Sequence, residues 1–124
     1  MTTQASVPFL DLHSAYIELK AEIDSAISDV LNSGNYILGE QVSAFESEWA
    51  HYCEASCAVG LANGLEALTI SLQALNIGPG DEVLVPANTY IATWLAVSSV
   101  GAVPIPVEPD PNTYNINPSL IHDL

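Results

Sequence analysis

A polar corner, Asn63-Gly64, joins a short apolar run to an amphipathic segment in VGLANGLEALTI, residues 59–70. Asparagine is a preferred helix N-cap, and Glu66 follows at the spacing of a capping box. A helix that begins here leaves the N–H groups of Gly64 and Leu65 unpaired at its positive end, where they can hold a phosphate without Lys or Arg. Gly64 lacks a Cβ, so a phosphate could approach the backbone closely. The corner predicts a phosphate site, with an ordinary capped turn as the alternative.

A second polar corner stands in PANTYIAT, residues 86–93, again where an apolar run gives way to a helix. In open α/β sheets, ligands bind at the carboxyl ends of the strands, where the helix N-termini point. Tyr90 falls in the first turn of this helix and would lie beside Asn63-Gly64 if the two strands are neighbours. Its ring could then stack on a planar ligand. The alternative is that Tyr90 packs in the core.

The charge of the chain is strongly one-sided. Fifteen acidic residues stand against one basic residue, Lys20, and the formal net charge is −14. Such a surface repels nucleic acids and anionic membranes, so neither is expected as a partner. The chain also has no Arg to clamp an anionic substrate. An anion bound here has to be held by backbone N–H groups or by another chain.

The cysteines and histidines do not form a metal-binding pattern. Cys53 and Cys57 match neither a Cys-x-x-Cys nor a zinc spacing, and we expect two buried free thiols. His13, His51 and His122 are scattered along the chain, so no metal is expected.

Length and hydropathy bound the class of protein. The 124 residues, 49% of them hydrophobic, suffice for one domain with its own core. No run approaches about 18 uninterrupted apolar residues, and the first residues lack the basic start and apolar core of a signal peptide. A cytoplasmic protein is therefore expected.

The spacing of apolar residues divides the chain into helices and strands. In order, it predicts a helix over 14–32, a helix over about 41–52, a buried strand over 57–61, a helix from Gly64, a strand over 83–87, a buried helix over 88–100, a strand over 102–108 and the start of a helix over 117–124. The prolines of the strand over 102–108 suit either a sheet edge or the beginning of a strand. Asn88 or Thr89 is expected to cap the buried helix, and Gly101 to follow it at C′. Asn117 and Pro118 are typical of the first residues of the last helix.

Strand, helix, strand, helix, strand is the order of an α/β fold with a parallel sheet and right-handed crossovers. Three parallel strands cannot cover the apolar helix over 88–100 on all sides. The chain therefore looks incomplete, because its buried elements outnumber their partners and its last helix has barely begun.

These segments resemble the N-terminal part of the DegT/DnrJ/StrS family, the pyridoxal-phosphate-dependent sugar aminotransferases of fold type I. The likeness runs from VPFLDL over essentially the whole chain and is carried by YILGEQVSAFESEWAHYC, AVGLANGLEALTISLQALNIGPGDEVLVPANTYIATWLAVSSVGAVPIPVEPD and TYNINPSL. It implies a partial aminotransferase large domain over residues 1–124, with N-terminal helices over 14–52, a βαβαβ cofactor-phosphate region over 57–108 and the start of the next helix over 117–124.

The sequence of these segments is most similar to family members that aminate C3 of a nucleotide-linked keto-deoxysugar, with an amino acid such as glutamate as the donor. The resemblance implies that Gly64 and Leu65, beside Asn63, offer N–H groups to the phosphate of pyridoxal phosphate (PLP), and that Tyr90 stacks on its ring. Leu65 stands where many relatives have Thr or Ser, which removes a hydroxyl contact and keeps the N–H. Residues 36–39 and the PFLDL segment resemble parts that line the substrate side or the partner subunit of a homodimer.

A transaminase also needs a lysine that attaches the cofactor and a carboxylate that holds its pyridinium nitrogen. In the family both come downstream of the segments matched here, so no catalytic residue is assigned to this chain. Lys20 is expected on the solvated side of the first helix and cannot substitute. The resemblance therefore implies a transaminase region that is inactive alone. The alternative is a catalytically dead remnant that binds phosphate weakly or serves as an interaction module.

Overall fold

The computed structural model describes residues 7–123, so the parts of the sequence predictions that fall on residues 1–6 and on Leu124 lie outside the described residues. The chain divides into two compact units, residues 1–60 and 61–124, and each is described by itself.

The first unit consists of three helices. They are α1 (Leu12–Glu18), α2 (Lys20–Ser33) and α3 (Glu40–Tyr52). Asp11 caps α1, because its carboxylate accepts a hydrogen bond from the Ser14 N–H at 3.0 Å. Helix α2 ends at Gly34, whose φ of 68° is the left-handed conformation that glycine adopts most easily. The helix predicted over about 41–52 is confirmed as α3, and the predicted end of the preceding helix at Gly34 is confirmed as well.

The prediction of one continuous helix over 14–32 is wrong, because the helix is interrupted at Leu19. The backbone angles of Leu19 (φ −106°, ψ 14°) depart from helical values, so it ends α1 and begins α2. Side chains bridge the interruption: the Tyr16 hydroxyl donates to Asp24 at 2.8 Å. The break is therefore a local change of backbone conformation between two helices that stay linked.

Helix α3 carries an aromatic stripe of Phe45, Trp49 and Tyr52. Phe45 and Trp49 stack with ring centroids 5.9 Å apart, and Trp49 and Tyr52 with centroids 5.5 Å apart. All three side chains are exposed. The sequence pattern predicted a packing face here, and within this unit the three rings stack on one another and stay exposed.

Residues 57–61 do not form the predicted strand. A strand is defined by a ladder of hydrogen bonds to a neighbouring strand, and the described residues place none beside this segment. The Gly60 N–H donates instead to the Glu46 side chain at 2.7 Å. The apolar residues of 57–61 are typical of a buried strand, but no strand among the described residues pairs with them.

The second unit contains α4 (Gly64–Ala74), β1 (Glu82–Pro86), α5 (Ile91–Ser99), β2 (Val103–Val107) and a short 3-10 helix (Pro118–Asp123). The two strands are parallel, with a register that runs from Glu82 opposite Val103 to Pro86 opposite Val107. Helix α5 makes the crossover between them. The predicted α/β order is confirmed from α4 onward, with a sheet of two strands among the described residues.

A small core holds this unit together. It consists of Val85 on β1, Val97 on α5 and Ala102 just before β2, all buried. Partly buried apolar side chains pack around them: Leu72, Ile77, Val83, Trp94 and Val100. The core therefore fixes α4 and α5 against the sheet.

The limits of α5 differ from the prediction at one end. Its N-cap residue is Tyr90 rather than Asn88 or Thr89, and it has no side-chain cap bond. Gly101 follows the helix with φ +82°, as predicted. The helix was expected to be buried all round, yet only Ala96 and Val97 are buried and Leu95 is 49% exposed. In this unit α5 has one covered face and one open face.

The last described segment begins as the sequence predicted. The Asn117 side chain accepts hydrogen bonds from the N–H and the hydroxyl of Ser119, at 3.1 and 2.7 Å. Pro118 then opens a helix of the 3-10 type.

Candidate cofactor-phosphate site

The start of α4 has the geometry of a capped helix end. Asn63 is extended (φ −167°, ψ 176°), and its side-chain oxygen accepts the Glu66 N–H at 3.0 Å. Its backbone oxygen accepts the Ala67 N–H at 3.1 Å. The predicted N-cap is thus confirmed. Of the two bonds of a capping box, the hydrogen bonds of the described residues include only this one from Glu66 N–H.

The backbone N–H groups of Gly64 and Leu65 lie in the first turn, where an α-helix offers its amides no carbonyl partner. Among the hydrogen bonds of residues 7–123, neither amide has an acceptor. A Cβ placed on Gly64 would meet nothing within 4 Å, so the space beside the Gly64 Cα is open. Free amides at a positive helix end, reached through open space, fit the phosphate of a cofactor.

A groove beside this corner separates α4 from α5. Its lining includes Leu65 and Thr69 on α4 and Ser98 and Ser99 on α5. The Thr69 hydroxyl donates to the Leu65 carbonyl oxygen at 3.0 Å and lies 3.3 Å from the Ser99 hydroxyl. The Thr69 hydroxyl is therefore already bonded to protein atoms, and anion binding by the Gly64 and Leu65 amides stays a prediction.

Tyr90 stands at the carboxyl end of β1, where the chain enters α5. Its side chain is 79% exposed, so within this unit Tyr90 is not a core residue. Its backbone is extended (φ −64°, ψ 146°). An exposed ring at a strand end can stack on a planar ligand. The juxtaposition of Tyr90 with Asn63-Gly64 stays a prediction.

One contact of this region was missed by sequence reasoning. The Asn88 side chain was considered only as a helix cap, and its Nδ2 donates instead to the Tyr114 carbonyl oxygen at 3.1 Å. The two residues are 26 positions apart, and no local pattern relates them.

A sequence profile of the DegT/DnrJ/EryC1/StrS aminotransferase family matches residues 17–124. The chain belongs to this family.

The relatives show how much of the family's length is matched. The chain is 56% identical over 115 residues to the dTDP-3-amino-3,4,6-trideoxy-alpha-D-glucose transaminase of Streptomyces venezuelae. This match covers 93% of the chain and 30% of that relative. The crystal structure of DesV from S. venezuelae matches with a TM-score of 0.91 at 55% identity, covering 94% of this chain and 32% of that one. NtdA from Bacillus subtilis, solved with its cofactor PMP, matches with a TM-score of 0.86 at 33% identity, covering 98% of this chain and 28% of that one.

These comparisons confirm the expected fold, a part of the aminotransferase fold, and the expected relationship to sugar aminotransferases. The chain spans about 30% of the length of the S. venezuelae relative. Two of the matched structures hold the cofactor: a putative sugar aminotransferase from Streptococcus pneumoniae was solved in its PLP form, and NtdA with PMP. The assignments of Asn63, Gly64, Leu65 and Tyr90 to that cofactor stay predictions.

Lys20 has the properties expected of a surface lysine. Its side chain is 51% exposed and forms an ion pair with Asp24. It also donates to the Tyr16 hydroxyl at 2.8 Å. The hydrogen bonds to Asp24 and Tyr16 raise the pKa of Lys20, which favours the charged ammonium. A lysine that attaches an aldehyde cofactor has to act as a neutral amine, so Lys20 is poorly suited to that role.

The cysteines differ from expectation. Cys53 and Cys57 are free, and both are exposed rather than buried. Cys53 ends α3 and Cys57 lies in the irregular segment after it, where no layer of the described chain covers them. Within residues 7–123, no group of three His, Cys, Asp or Glu side chains is arranged to hold a metal ion.

The segments that resemble the substrate side of the family lie on the surface of the first unit. Tyr36, Ile37 and Leu38 are exposed, and so is Phe9 in the PFLDL segment. The Tyr36 hydroxyl donates to the Leu31 carbonyl oxygen at 3.3 Å. Their role toward a substrate or a partner subunit stays a prediction. No described helix is both long enough and apolar enough to cross a membrane.

Proposed function

We propose that this chain is the cofactor-phosphate region of a PLP-dependent aminotransferase that aminates a nucleotide-linked keto-deoxysugar. The observation that carries the proposal is the open, capped start of α4, with unpaired Gly64 and Leu65 amides, in a chain 56% identical to a sugar-nucleotide transaminase. The identity to this and to other relatives named for 3-amino sugars supports C3 as the aminated position.

The residues of the corner have two roles in holding the phosphate: some donate hydrogen bonds to it, and one keeps the donors in place. The Gly64 and Leu65 N–H groups donate to phosphate oxygens, and the positive end of α4 favours their charge. Asn63 keeps these amides in place, because its cap bond to Glu66 N–H fixes the first turn. In a chain of net charge −14 with no Arg, backbone donors are the natural means of binding an anion.

Tyr90 contributes a flat apolar surface at a strand end, against which the pyridine ring can lie. Bound PLP supplies the electron sink that amino-group transfer requires. The lysine and the carboxylate that complete such a site have to come from outside the segments described here, since Lys20 is engaged with Asp24. We therefore expect no turnover by residues 1–124 alone. Glutamate as donor, a homodimeric assembly and a cytoplasmic location are parts of the same proposal.

A chimaera tests this directly. Residues 1–124 replace the matching N-terminal segment of the S. venezuelae transaminase, with which they share 56% identity. The chimaera should bind PLP and catalyse the relative's reaction, whereas residues 1–124 alone should show no turnover. A folded chimaera that fails to bind PLP would overturn the proposal.

The alternative is a dead remnant that binds phosphate weakly or acts as an interaction module. The same chimaera separates the two. A folded chimaera that binds PLP much more weakly than the relative and shows no turnover would indicate the remnant.

A further inference from the structure

The turn that carries Tyr90 is tied to a distant loop by one side chain. Asn88 precedes Tyr90 by two positions, and its Nδ2 donates to the Tyr114 carbonyl oxygen at 3.1 Å. The turn itself is closed by the Thr89 N–H, which donates to Pro86 O at 3.1 Å. Tyr90 has no cap bond of its own. Asn88 is therefore the side chain that links this turn to the structure beyond β2.

The loop that receives Asn88, residues 108–117, is closed on itself. Pro109 and Ile116 form an antiparallel bridge. The Asp110 N–H donates to Asn115 O at 2.9 Å, and the Tyr114 N–H donates to Asp110 O at 2.8 Å. These bonds make the loop a fixed support rather than a free strand end.

Tyr114 adopts an unusual backbone conformation in this loop. Its φ is +59°, in the left-handed region that residues other than glycine rarely occupy. Such a conformation persists when surrounding bonds hold it, and it occurs often near functional sites. Here its own N–H bond to Asp110 and the bond from Asn88 to its carbonyl hold it on both sides.

We propose that Asn88 is a positioning residue for the cofactor: its amide ties the turn over 86–90 to the Tyr114 carbonyl and so sets the orientation of the Tyr90 ring. This inference rests on the proposed role of Tyr90 as the surface for the cofactor ring. The Tyr90 ring is 79% exposed, so little side-chain packing orients it. The backbone of the turn sets the direction of the Tyr90 Cα–Cβ bond, and Asn88 adds the side-chain hydrogen bond that ties this backbone to the 108–117 loop.

The experiment uses the chimaera and its Asn88→Ala variant. Loss of one hydrogen bond that orients the ring should weaken PLP binding roughly three- to tenfold. The induced circular dichroism of the bound cofactor should also change, because it depends on the geometry of the aromatic ring beside it. Asn115→Ala is the matched control. Asn115 is an exposed asparagine of the 108–117 loop, next to Tyr114, and its side chain makes no hydrogen bond among those of the described residues. It should change neither readout.

A double-mutant cycle separates positioning from general stability. If Asn88 acts through Tyr90, Asn88→Ala should have no further effect on PLP affinity in a Tyr90→Ala chimaera. Asn88→Asp keeps the size of the side chain and removes the donor, so it should behave like Asn88→Ala and serves in its place if that variant does not fold.

Three results would overturn the inference. If Asn88→Ala weakens binding equally in the presence and absence of the Tyr90 ring, or leaves the induced signal unchanged, Asn88 does not position Tyr90. If Tyr90→Ala alone leaves PLP affinity unchanged, the stacking role fails and this inference fails with it. Parental PLP binding of the chimaera would still support the phosphate site in that case.

Discussion

Gly64→Val tests the phosphate site most sharply, because the structure separates its effect on the ligand from its effect on the fold. A Cβ at Gly64 meets no protein atom within 4 Å, and its backbone lies in the first residue of α4. The new Cβ should therefore collide with no protein atom. Valine is also a better helix residue than glycine by a few tenths of a kcal/mol. We expect the phosphate to approach the Gly64 amide through this same open space, which the valine side chain would fill.

The expected loss follows from the bonds that the phosphate makes. A hydrogen bond to a charged group contributes about 1.5 to 3 kcal/mol, so the loss of one should weaken PLP binding by roughly ten- to a hundredfold. The measurement is a PLP titration of the chimaera by absorbance, with circular dichroism to show that each variant is folded. Gly64→Ala, which adds one methyl group, should give a smaller loss. If Gly64→Val binds PLP like its parent, the phosphate reasoning is wrong and Asn63-Gly64 is only a turn.

Tyr90→Ala should weaken PLP binding less than Gly64→Val, since stacking contributes only about 0.5 to 1.5 kcal/mol beyond burial; a larger loss in the same titration would contradict this order. Glu66→Gln removes a negative charge from the first turn of α4, so PLP affinity should stay the same or rise slightly, and a marked fall would show that Glu66 helps to bind the cofactor. Residues 1–124 alone should self-associate in light scattering, because apolar side chains such as Trp49 (50% exposed) and Leu95 (49% exposed) are open to solvent; a monodisperse monomer with a cooperative thermal transition would argue against this. The N–H groups of Asn112 and Thr113 lower the pKa of Asp110 below 3.8, so its bonds should stabilise the 108–117 loop fully above that pH and be lost as the pH falls through the lowered pKa. Tyr114 resonances followed by NMR during an acid titration should shift in that range, and in Asp110→Asn they should not.

The site elements that the sequence predicted correctly depend on short-range chemistry. The Asn63 cap is complete within four residues, because its acceptor oxygen needs only the Glu66 N–H. The stop of α2 at Gly34 and the C′ position of Gly101 likewise need only a positive φ at one residue. Local bonds of this kind leave a signature in consecutive residues, so they can be inferred before any fold is known.

The N-cap of α5 could not be inferred in this way, because a distant residue competes for the same side chain. Asn88 has the chemistry of a cap, and local preference assigned it that role. Its amide instead reaches the carbonyl of Tyr114, 26 positions away, in a loop where Tyr114 has a φ of 59°. A tertiary contact thus replaced a local one, and the helix begins at Tyr90 without a side-chain cap.

The two edges of the sheet explain both the correct prediction for β2 and the error over 57–61. The Val103 N–H donates to Asp81 O at 2.9 Å, and Val107 O accepts the Ala87 N–H at 2.8 Å, so the odd-numbered residues of β2 face β1. Backbone groups alternate sides along a strand, which turns Pro104 and Pro106 to the outer edge, where they offer no N–H. The two prolines predicted this edge because a proline lacks the backbone N–H wherever it stands in the chain.

The outer edge of β1 is different. Its even-numbered residues direct their backbone groups away from β2: Glu82 and Leu84 offer an N–H and a carbonyl, and Pro86 at the strand end offers a carbonyl only. A further strand would therefore find two N–H donors along the outer edge of β1 and none along the outer edge of β2, where both residues are prolines. The apolar character of 57–61 predicts burial, but pairing depends on which strand lies alongside, and a sequence pattern carries no information about that neighbour. A residue that cannot donate at a sheet edge can thus be identified from the sequence alone. Whether a segment becomes a strand depends on the strand beside it.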